Sequence, residues 1–170
     1  MWRRILVPHD FSRCAQRAFD VAAELAAQNQ GQLTLLHVSP LPPNVPRHAK
    51  VYAGEDESAS LEDVLTRGAC RDLATIAAPL TARGIEVQTF ARATEPGSPA
   101  AAILRIAAEL EADVIVLGTH GRAGLARLLL GSVAEKIIRG ASIPVVSVRS
   151  DEEAPHPTRE ETLAEDELAG

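Results

Sequence analysis

The chain has 170 residues, the usual size of a single domain, and 46% of them are apolar, enough to form one sizeable core. The formal net charge of −6 is concentrated at the end of the chain, because residues 150–170 hold eight acidic residues and one basic residue, a net charge of −7. The rest of the chain is therefore almost neutral. It lacks the basic surface that nucleic-acid binding requires, so we expect no nucleic-acid partner.

Short β-rich segments alternate with amphipathic helical segments in the first part of the chain. Residues 4–8 (RILVP) predict a first strand, and Ser12 is placed to cap the helix that follows, which Gly31 can end. Residues 33–38 (LTLLHV) predict a second strand. Residues 41–58 contain three prolines and interrupt this alternation, which indicates a long, mobile connection before the second helix.

The alternation then resumes with a third strand, a third helix and a fourth strand. Residues 85–91 predict the third strand. Ser98 and Pro99 are typical of a helix start, with serine as the cap and proline at the first helical position. Residues 112–117 (ADVIVL) are almost wholly apolar, as expected for a parallel strand covered on both faces.

A last helix and a last strand complete the predicted domain. Ser132 and Glu135 have the S-x-x-E spacing of a capping box, and residues 143–148 (IPVVSV) predict strand 5. Five strands alternating with helices predict a single α/β domain over residues 1–149, with a parallel sheet and right-handed crossovers. Residues 150–170 are acidic and poor in apolar side chains, so we expect a disordered or loosely helical tail that aids solubility or, alternatively, binds a partner.

The strongest functional signal is the glycine-rich segment GTHGRAGLARLLLGS, which runs from Gly118 to Ser132. It joins the end of a buried strand to the start of a helix. Ligands of open α/β sheets bind beyond the carboxyl ends of the strands, and helix N-termini attract phosphate groups. Glycine lets the backbone approach such a ligand closely. We therefore expect Gly131 and Ser132 to offer amides and a hydroxyl to an anion, while Gly118 and Gly121 shape the turn.

This segment resembles the nucleotide motif of the universal stress protein family, which is G-x2-G-x9-G followed by Ser or Thr. The three glycines and the serine match that motif at every spacing. Residues 5–8 with Asp10 and Ser12 look like the family's first strand and turn. The resemblance covers roughly residues 2–149 outside the long connection.

The resemblance implies an adenine-nucleotide α-hydrolase-like fold: an open five-stranded parallel sheet in the order 3-2-1-4-5, with helices on both faces. It also implies that ATP lies across the switch point of the sheet, since family members that keep the motif bind ATP. The implied contacts are Pro8 and Asp10 at the adenosine, the Val38 backbone at the adenine, Gly118 near the ribose, and Gly121, Arg122, Gly131, Ser132 and Val133 along the phosphates.

Simpler interpretations of these residues stay open at this point. The glycines are also typical of ordinary turns, Ser132 of a plain helix cap, and Asp10 of a cap on the first helix. Arg122 is equally consistent with a solvated surface charge. We interpret His9 and His37 as structural. Cys14 and Cys70 are interpreted as unreactive thiols, because no CxxC or metal-binding spacing includes them.

The sequence lacks the motifs of several enzyme classes. It contains no GxxxxGK[ST], GxSxG or HExxH, and no general base is evident beside the glycine-rich segment. We therefore predict no catalytic residues and expect an ATP-binding regulatory protein of the stress-response type. The alternatives are a slow ATPase using the same site, or a nucleotide-free protein that acts through its dimer surface and an unknown protein partner. Whether Mg²⁺ accompanies ATP, or any other metal binds, is left open.

Assembly and location follow from weaker signals. The last strand, residues 143–148, ends the sheet in the implied order, and its apolar edge favours a homodimer formed through that strand. The longest apolar runs are only as long as a strand, and no signal peptide is evident, so we expect no membrane partner and a cytoplasmic location.

Overall fold

The computed structural model of the protein describes residues 2–51, 59–95, 97, 99–119 and 130–149. Within these residues the elements are β1 (Arg4–Pro8), α1 (Arg13–Asn29), β2 (Gln32–Pro40), α2 (Leu61–Thr81), β3 (Val87–Thr94), α3 (Pro99–Glu109), β4 (Val114–Gly118), α4 (Ser132–Gly140) and β5 (Val145–Val148). The strands form one parallel sheet in the order β3-β2-β1-β4-β5, which confirms the predicted topology. The predicted tail at 150–170 lies outside the described residues.

The sheet is covered by helices on both faces. Consecutive side chains of a strand point to opposite faces, so Ile5 and Val7 pack with Phe19 of α1 on one side, together with residues of α2. Leu6, between them, packs with Ile103 of α3 on the other side, together with residues of α4. Each central strand therefore contributes to two cores, which explains why its sequence is apolar at consecutive positions.

Helix α1 begins at the predicted cap, but a different residue from the predicted one ends it. The side chain of Ser12 accepts a hydrogen bond from the Ala15 amide, so Ser12 is the N-cap. At the other end Gln30, and not Gly31, adopts the left-handed conformation, with φ of 51°. Glycine at position 31 instead avoids a tight contact, because a Cβ there would lie 3.0 Å from the carbonyl oxygen of Arg3.

Strands β2 and β3 are longer than the sequence predicted because they pair with each other. Their register runs from Leu33 opposite Val87 to Pro40 opposite Thr94. Strand β1 ends earlier, where Pro8 pairs with Leu36. The β2–β3 pair therefore projects beyond the carboxyl end of β1 and leaves an open space beside it.

The described ends of the long connection are anchored to the fold. Leu41 is buried and its amide donates to the carbonyl oxygen of Thr94. Lys50 and Ser60 form an isolated antiparallel bridge. Ser60 then caps α2 in a capping box with Asp63, and the hydrogen bond from the Ser60 hydroxyl lowers the pKa of the Asp63 carboxyl.

The predicted capping box at the start of α4 is wrong. Gly131 is the N-cap, with φ of −59° and ψ of 142°, and no side chain caps the helix among the described residues. The Gly131 amide donates to the carbonyl oxygen of Thr119, which holds Gly131 in an extended conformation. Ser132 is therefore already the first helical residue, one position too late for its hydroxyl to act as the cap. Glu135 pairs instead with Arg139, at 3.0 Å.

Candidate functional site

A pocket of about 410 Å³ opens beyond the carboxyl ends of β1 and β4, the adjacent strands at which the winding of the sheet reverses. Such switch points are where open α/β sheets bind ligands. Seven of the nine predicted contact residues line it: Pro8, Asp10, Val38, Gly118, Gly131, Ser132 and Val133. The other two, Gly121 and Arg122, lie outside the described residues. The fold thus brings together residues that are up to 125 positions apart.

The walls of the pocket are mainly apolar. Leu36 and Leu117 come from the sheet, Ile103 from α3 and Ile137 from α4. All four side chains belong to the core between the sheet and these two helices. Because α3 and α4 leave this part of the sheet uncovered at its carboxyl end, the core opens into a cavity instead of closing. Its apolar walls suit the faces of an aromatic ring, and its size is within the range of small-molecule sites.

The backbone of Val38 is available to a ligand in this pocket. The His9 amide donates to the carbonyl oxygen of Leu36, so the peptide groups of Leu36 and, two residues later, Val38 face the β1 side of β2. Since β1 ends at Pro8 opposite Leu36, no strand of the described residues pairs with Val38 on that side. Val38 therefore presents one N–H donor and one C=O acceptor toward the pocket.

The turn between β1 and α1 carries Asp10. Its Oδ1 accepts a hydrogen bond from the Ser12 amide at 3.0 Å, which braces the turn. Because Ser12 is the helix cap, the alternative in which Asp10 caps α1 is wrong. Between them Phe11 has a φ of 66°, a left-handed conformation that a residue with a Cβ rarely adopts. The turn is therefore held by specific hydrogen bonds, with Asp10 among the residues that line the pocket.

His9 is a pocket residue that the sequence analysis missed. It is only 4% exposed, and its Nδ1 accepts a hydrogen bond from the Phe11 amide at 3.1 Å. Its carbonyl oxygen lies 2.7 Å from Nδ1 of His37. Burial lowers the pKa of the His9 imidazole. A histidine before Asp10 carries no recognised motif, so the contact with the amide two residues later was not visible in the sequence.

Gly118 has a packing role that the sequence did not reveal. It ends β4, and a Cβ on it would lie 2.8 Å from the carbonyl carbon of Cys14 in α1. The Cys14 thiol donates to the carbonyl oxygen of Val148, at 3.2 Å. Glycine at this position thus lets the first turn of α1 approach the sheet directly beneath the pocket.

Helix α4 points its N-terminus at the pocket. Gly131, Ser132 and Val133 all line the cavity, and the positive end of the helix dipole lies there. No side chain of the described residues caps this helix, so its first-turn amides have no side-chain acceptor there, and helix N-termini of this kind commonly bind anions.

Neither a resident metal centre nor a membrane span is evident in the parts of the chain that the structure describes. Within residues 2–51, 59–95, 97, 99–119 and 130–149, no cluster of three or more His, Cys, Asp or Glu side chains could hold a metal ion. No helix in these same ranges has the length and apolar character needed to cross a bilayer.

Comparison with known proteins shows which family this chain belongs to. A family model described as the universal stress protein family matches residues 1–149. The chain belongs to the universal stress protein family. Universal stress protein YxiE of Bacillus subtilis is 28% identical over 151 residues, which cover 88% of this chain and 100% of that protein.

Solved structures of the family support the same assignment. Protein MJ0577 of Methanocaldococcus jannaschii superposes with a TM-score of 0.71 at 27% identity, covering 89% of this chain and 98% of that chain. The universal stress protein of Archaeoglobus fulgidus in complex with dAMP superposes with a TM-score of 0.59 at 21% identity, covering 87% and 98%, a likeness in fold. These family structures have the adenine-nucleotide α-hydrolase-like fold, which confirms the predicted fold class.

Proposed function

We propose that this protein binds ATP in the pocket between β1, β4 and α4 and acts as a nucleotide-dependent regulatory protein of the stress response. The observation that carries the proposal is the meeting of an apolar cavity at the sheet's switch point with the N-terminus of α4, which no side chain of the described residues caps. One end of this site suits an aromatic base and the other suits phosphate. The structure of a family member with dAMP bound supports an adenine nucleotide as the ligand class.

The base is recognised by the peptide groups of Val38. Adenine presents an amino donor and a ring-nitrogen acceptor, which complement the C=O acceptor and N–H donor of that residue. Guanine carries a carbonyl oxygen where adenine carries the amino group. That oxygen would face the C=O group of Val38, and two acceptors cannot form a hydrogen bond. The proposed site therefore prefers ATP to GTP. Pro8 and Asp10 flank the adenosine, with Asp10 as its polar partner.

The phosphates lie toward α4. Gly131, Ser132 and Val133 hold them through backbone amides and one hydroxyl, helped by the helix dipole. Gly121 and Arg122, outside the described residues, are predicted to continue this path. Binding of ATP would favour one arrangement of the glycine-rich segment, and a protein partner can bind selectively to that arrangement. We place no general base beside the phosphates, so regulation is favoured over efficient hydrolysis.

The protein acts as a homodimer joined through β5 in this proposal. Strand β5 ends the sheet, and among the described strands it pairs only with β4, on one of its two edges. The carbonyl oxygens of Pro144 and Val148 accept hydrogen bonds from β4 and from the residue that follows it. The amides of Val145 and Ser147, which alternate with them, therefore face the open edge. Pairing with a second copy of the strand would satisfy these groups. The cytoplasmic location stays a prediction.

Two measurements test the proposal. Mass spectrometry of the small molecules released when the purified protein is denatured should detect an adenine nucleotide. Titration calorimetry with ATP, and with GTP as the matched control, should give binding of ATP that is at least about tenfold tighter. Adding Mg²⁺ or EDTA to the same titration decides the metal requirement, and sustained phosphate release would favour the slow ATPase. Absence of ATP binding by the folded protein would contradict the proposal.

A further inference from the structure

His9 links the two strand ends that frame the pocket. Its amide donates to the carbonyl oxygen of Leu36 at 2.8 Å, and its carbonyl oxygen faces Nδ1 of His37 at 2.7 Å. Its ring lies edge-on to the ring of Phe11, with centroids 5.6 Å apart, and Phe11 in turn contacts the ring of His37. Asp10 sits inside this arrangement, so its position depends on the turn that His9 holds.

The hydrogen bonds assign the proton on each imidazole. Nδ1 of His9 accepts from the Phe11 amide, so this nitrogen is unprotonated and the single proton of the neutral ring is on Nε2. That Nε2 is buried and has no hydrogen-bond partner among the described residues. His37 has the opposite assignment, because its Nδ1 faces a carbonyl oxygen and must donate.

A second proton therefore affects the two histidines differently. On His9 it must go to Nδ1, which turns the acceptor of the Phe11 amide into a donor and breaks that hydrogen bond. Phe11 then keeps an unfavourable left-handed conformation without the bond that supports it. On His37 the second proton goes to Nε2, and the hydrogen bond to the carbonyl oxygen of His9 survives.

The groups that face His9 come from three elements. They are Asp10 on the turn, His37 on β2, and Asp20 and the uncharged Gln16 on α1. Burial lowers the pKa of His9 and is the largest influence; Asp10 and Asp20 oppose it, while His37 acts in the same direction. The Gln16 side chain also opposes it but forms no hydrogen bond of ordinary geometry with the ring. His9 is thus neutral at neutral pH and charges only as the solution becomes acidic.

We propose that neutral His9 is the positioning residue of the β1–α1 turn, holding Asp10 for ligand binding, and that its protonation releases the turn and weakens the binding of an adenine nucleotide. The nucleotide part rests on the function proposed above. The turn itself responds to pH whether or not a nucleotide is present.

The experiment compares the full chain with three variants at about pH 7.5 and at an acidic pH below the titration of the His9 ring, which an NMR titration of that ring locates. His9→Asn keeps a side-chain oxygen that accepts the amide two residues later, as in an Asx turn, and does not titrate. His9→Leu removes the acceptor, and His37→Gln removes the other histidine. Because the phosphates of ATP titrate near pH 6, affinities by calorimetry are compared between variants at each pH.

At the higher pH we expect His9→Asn to retain most of the affinity of the parent for ATP. At the lower pH the parent should bind several-fold more weakly than His9→Asn. His9→Leu should bind weakly at both values, and His37→Gln should follow the parent. Equal loss of affinity in the parent and His9→Asn would overturn the inference.

A ligand-free measurement separates this inference from the proposed function. In the parent, the NMR amide signal of Phe11 should shift with the titration of the His9 ring. If the chemical shift of the Phe11 amide stays constant while the His9 ring titrates, the inference is overturned even if ATP binds. Failure of the parent to bind ATP at the higher pH, with the Phe11 shift present, would instead contradict only the proposed function.

Discussion

The backbone of Gly118 at the end of β4 lies against the carbonyl group of Cys14 in the first turn of α1. A Cβ on Gly118 would be 2.8 Å from the carbonyl carbon and 2.9 Å from the carbonyl oxygen of Cys14. Both atoms belong to the backbone, so neither can move away as a flexible side chain would. This contact sets how closely α1 approaches the sheet beneath the pocket.

Gly118→Ala should therefore destabilise the protein. The added methyl group must displace α1 or β4, and overpacking of this kind costs about 1–3 kcal/mol in the free energy of unfolding. Gly68→Ala is the matched control, because a Cβ on Gly68 would meet nothing within 4 Å and alanine favours the interior of α2. It should stabilise by about 0.5–1 kcal/mol. Urea unfolding measures both variants, and a Gly118→Ala protein as stable as the parent would refute the close contact.

Gly131→Val should abolish ATP binding while leaving the protein folded. Gly131 has a φ of −59°, which valine also adopts, so the substitution introduces no left-handed strain. Its branched side chain would instead occupy the space where the backbone at the start of α4 meets the phosphates. Titration calorimetry measures the binding, with circular dichroism as the folding control. If the folded variant binds ATP as well as the parent does, the proposed phosphate site is wrong.

Ser132→Ala is the milder change at the same site. The hydroxyl does not cap α4, so the free energy of unfolding should stay within about 0.5 kcal/mol of the parent. ATP binding should weaken only several-fold, because the backbone amides and the helix dipole remain. Thermal unfolding and calorimetry on the same preparation separate the two effects. A large loss of stability would mean that the hydroxyl supports the helix after all.

Ser12→Ala should weaken the start of α1. The Ser12 side chain accepts the Ala15 amide at 3.2 Å, and loss of such a cap costs about 1 kcal/mol. Ser12→Asn keeps an acceptor of similar reach and should retain most of that stability. Urea unfolding of the two variants tests the cap directly, and an equal loss in both would assign the effect to something other than the hydrogen bond.

Ser147→Pro should dissociate the proposed dimer into monomers. The Ser147 amide faces away from β4, so proline removes a donor at the open edge without breaking the pairing within the sheet. Ser147→Thr keeps the amide and is the matched control. Light scattering at tens of micromolar, a range chosen for an interface of modest affinity, should give monomer for the first and dimer for the second. A parent protein that is monomeric at this concentration would contradict the dimer.

Much of the fold was predictable because its signals are local. The apolar run at residues 4–8 and the serine at position 12 predicted β1 and the cap of α1, and both are confirmed. Strand ends were predicted less well. Residues 39–40 and 92–94 belong to β2 and β3 only because the two strands pair there, which no local pattern indicates. The strand order came from the family resemblance and is confirmed by the pairing.

By itself, the sequence determined the kind and order of the strands and helices and which segment carries the glycines and the serine of the motif. These properties depend on periodicity and spacing along the chain. Only the tertiary structure decided that the backbone of His9 is hydrogen-bonded to Leu36 and His37 of β2, that Gly118 packs against Cys14, and that Gly131 caps α4 in place of Ser132. Each of these depends on atoms brought close by the ends of other elements, and such distances do not exist until the sheet and helices have packed.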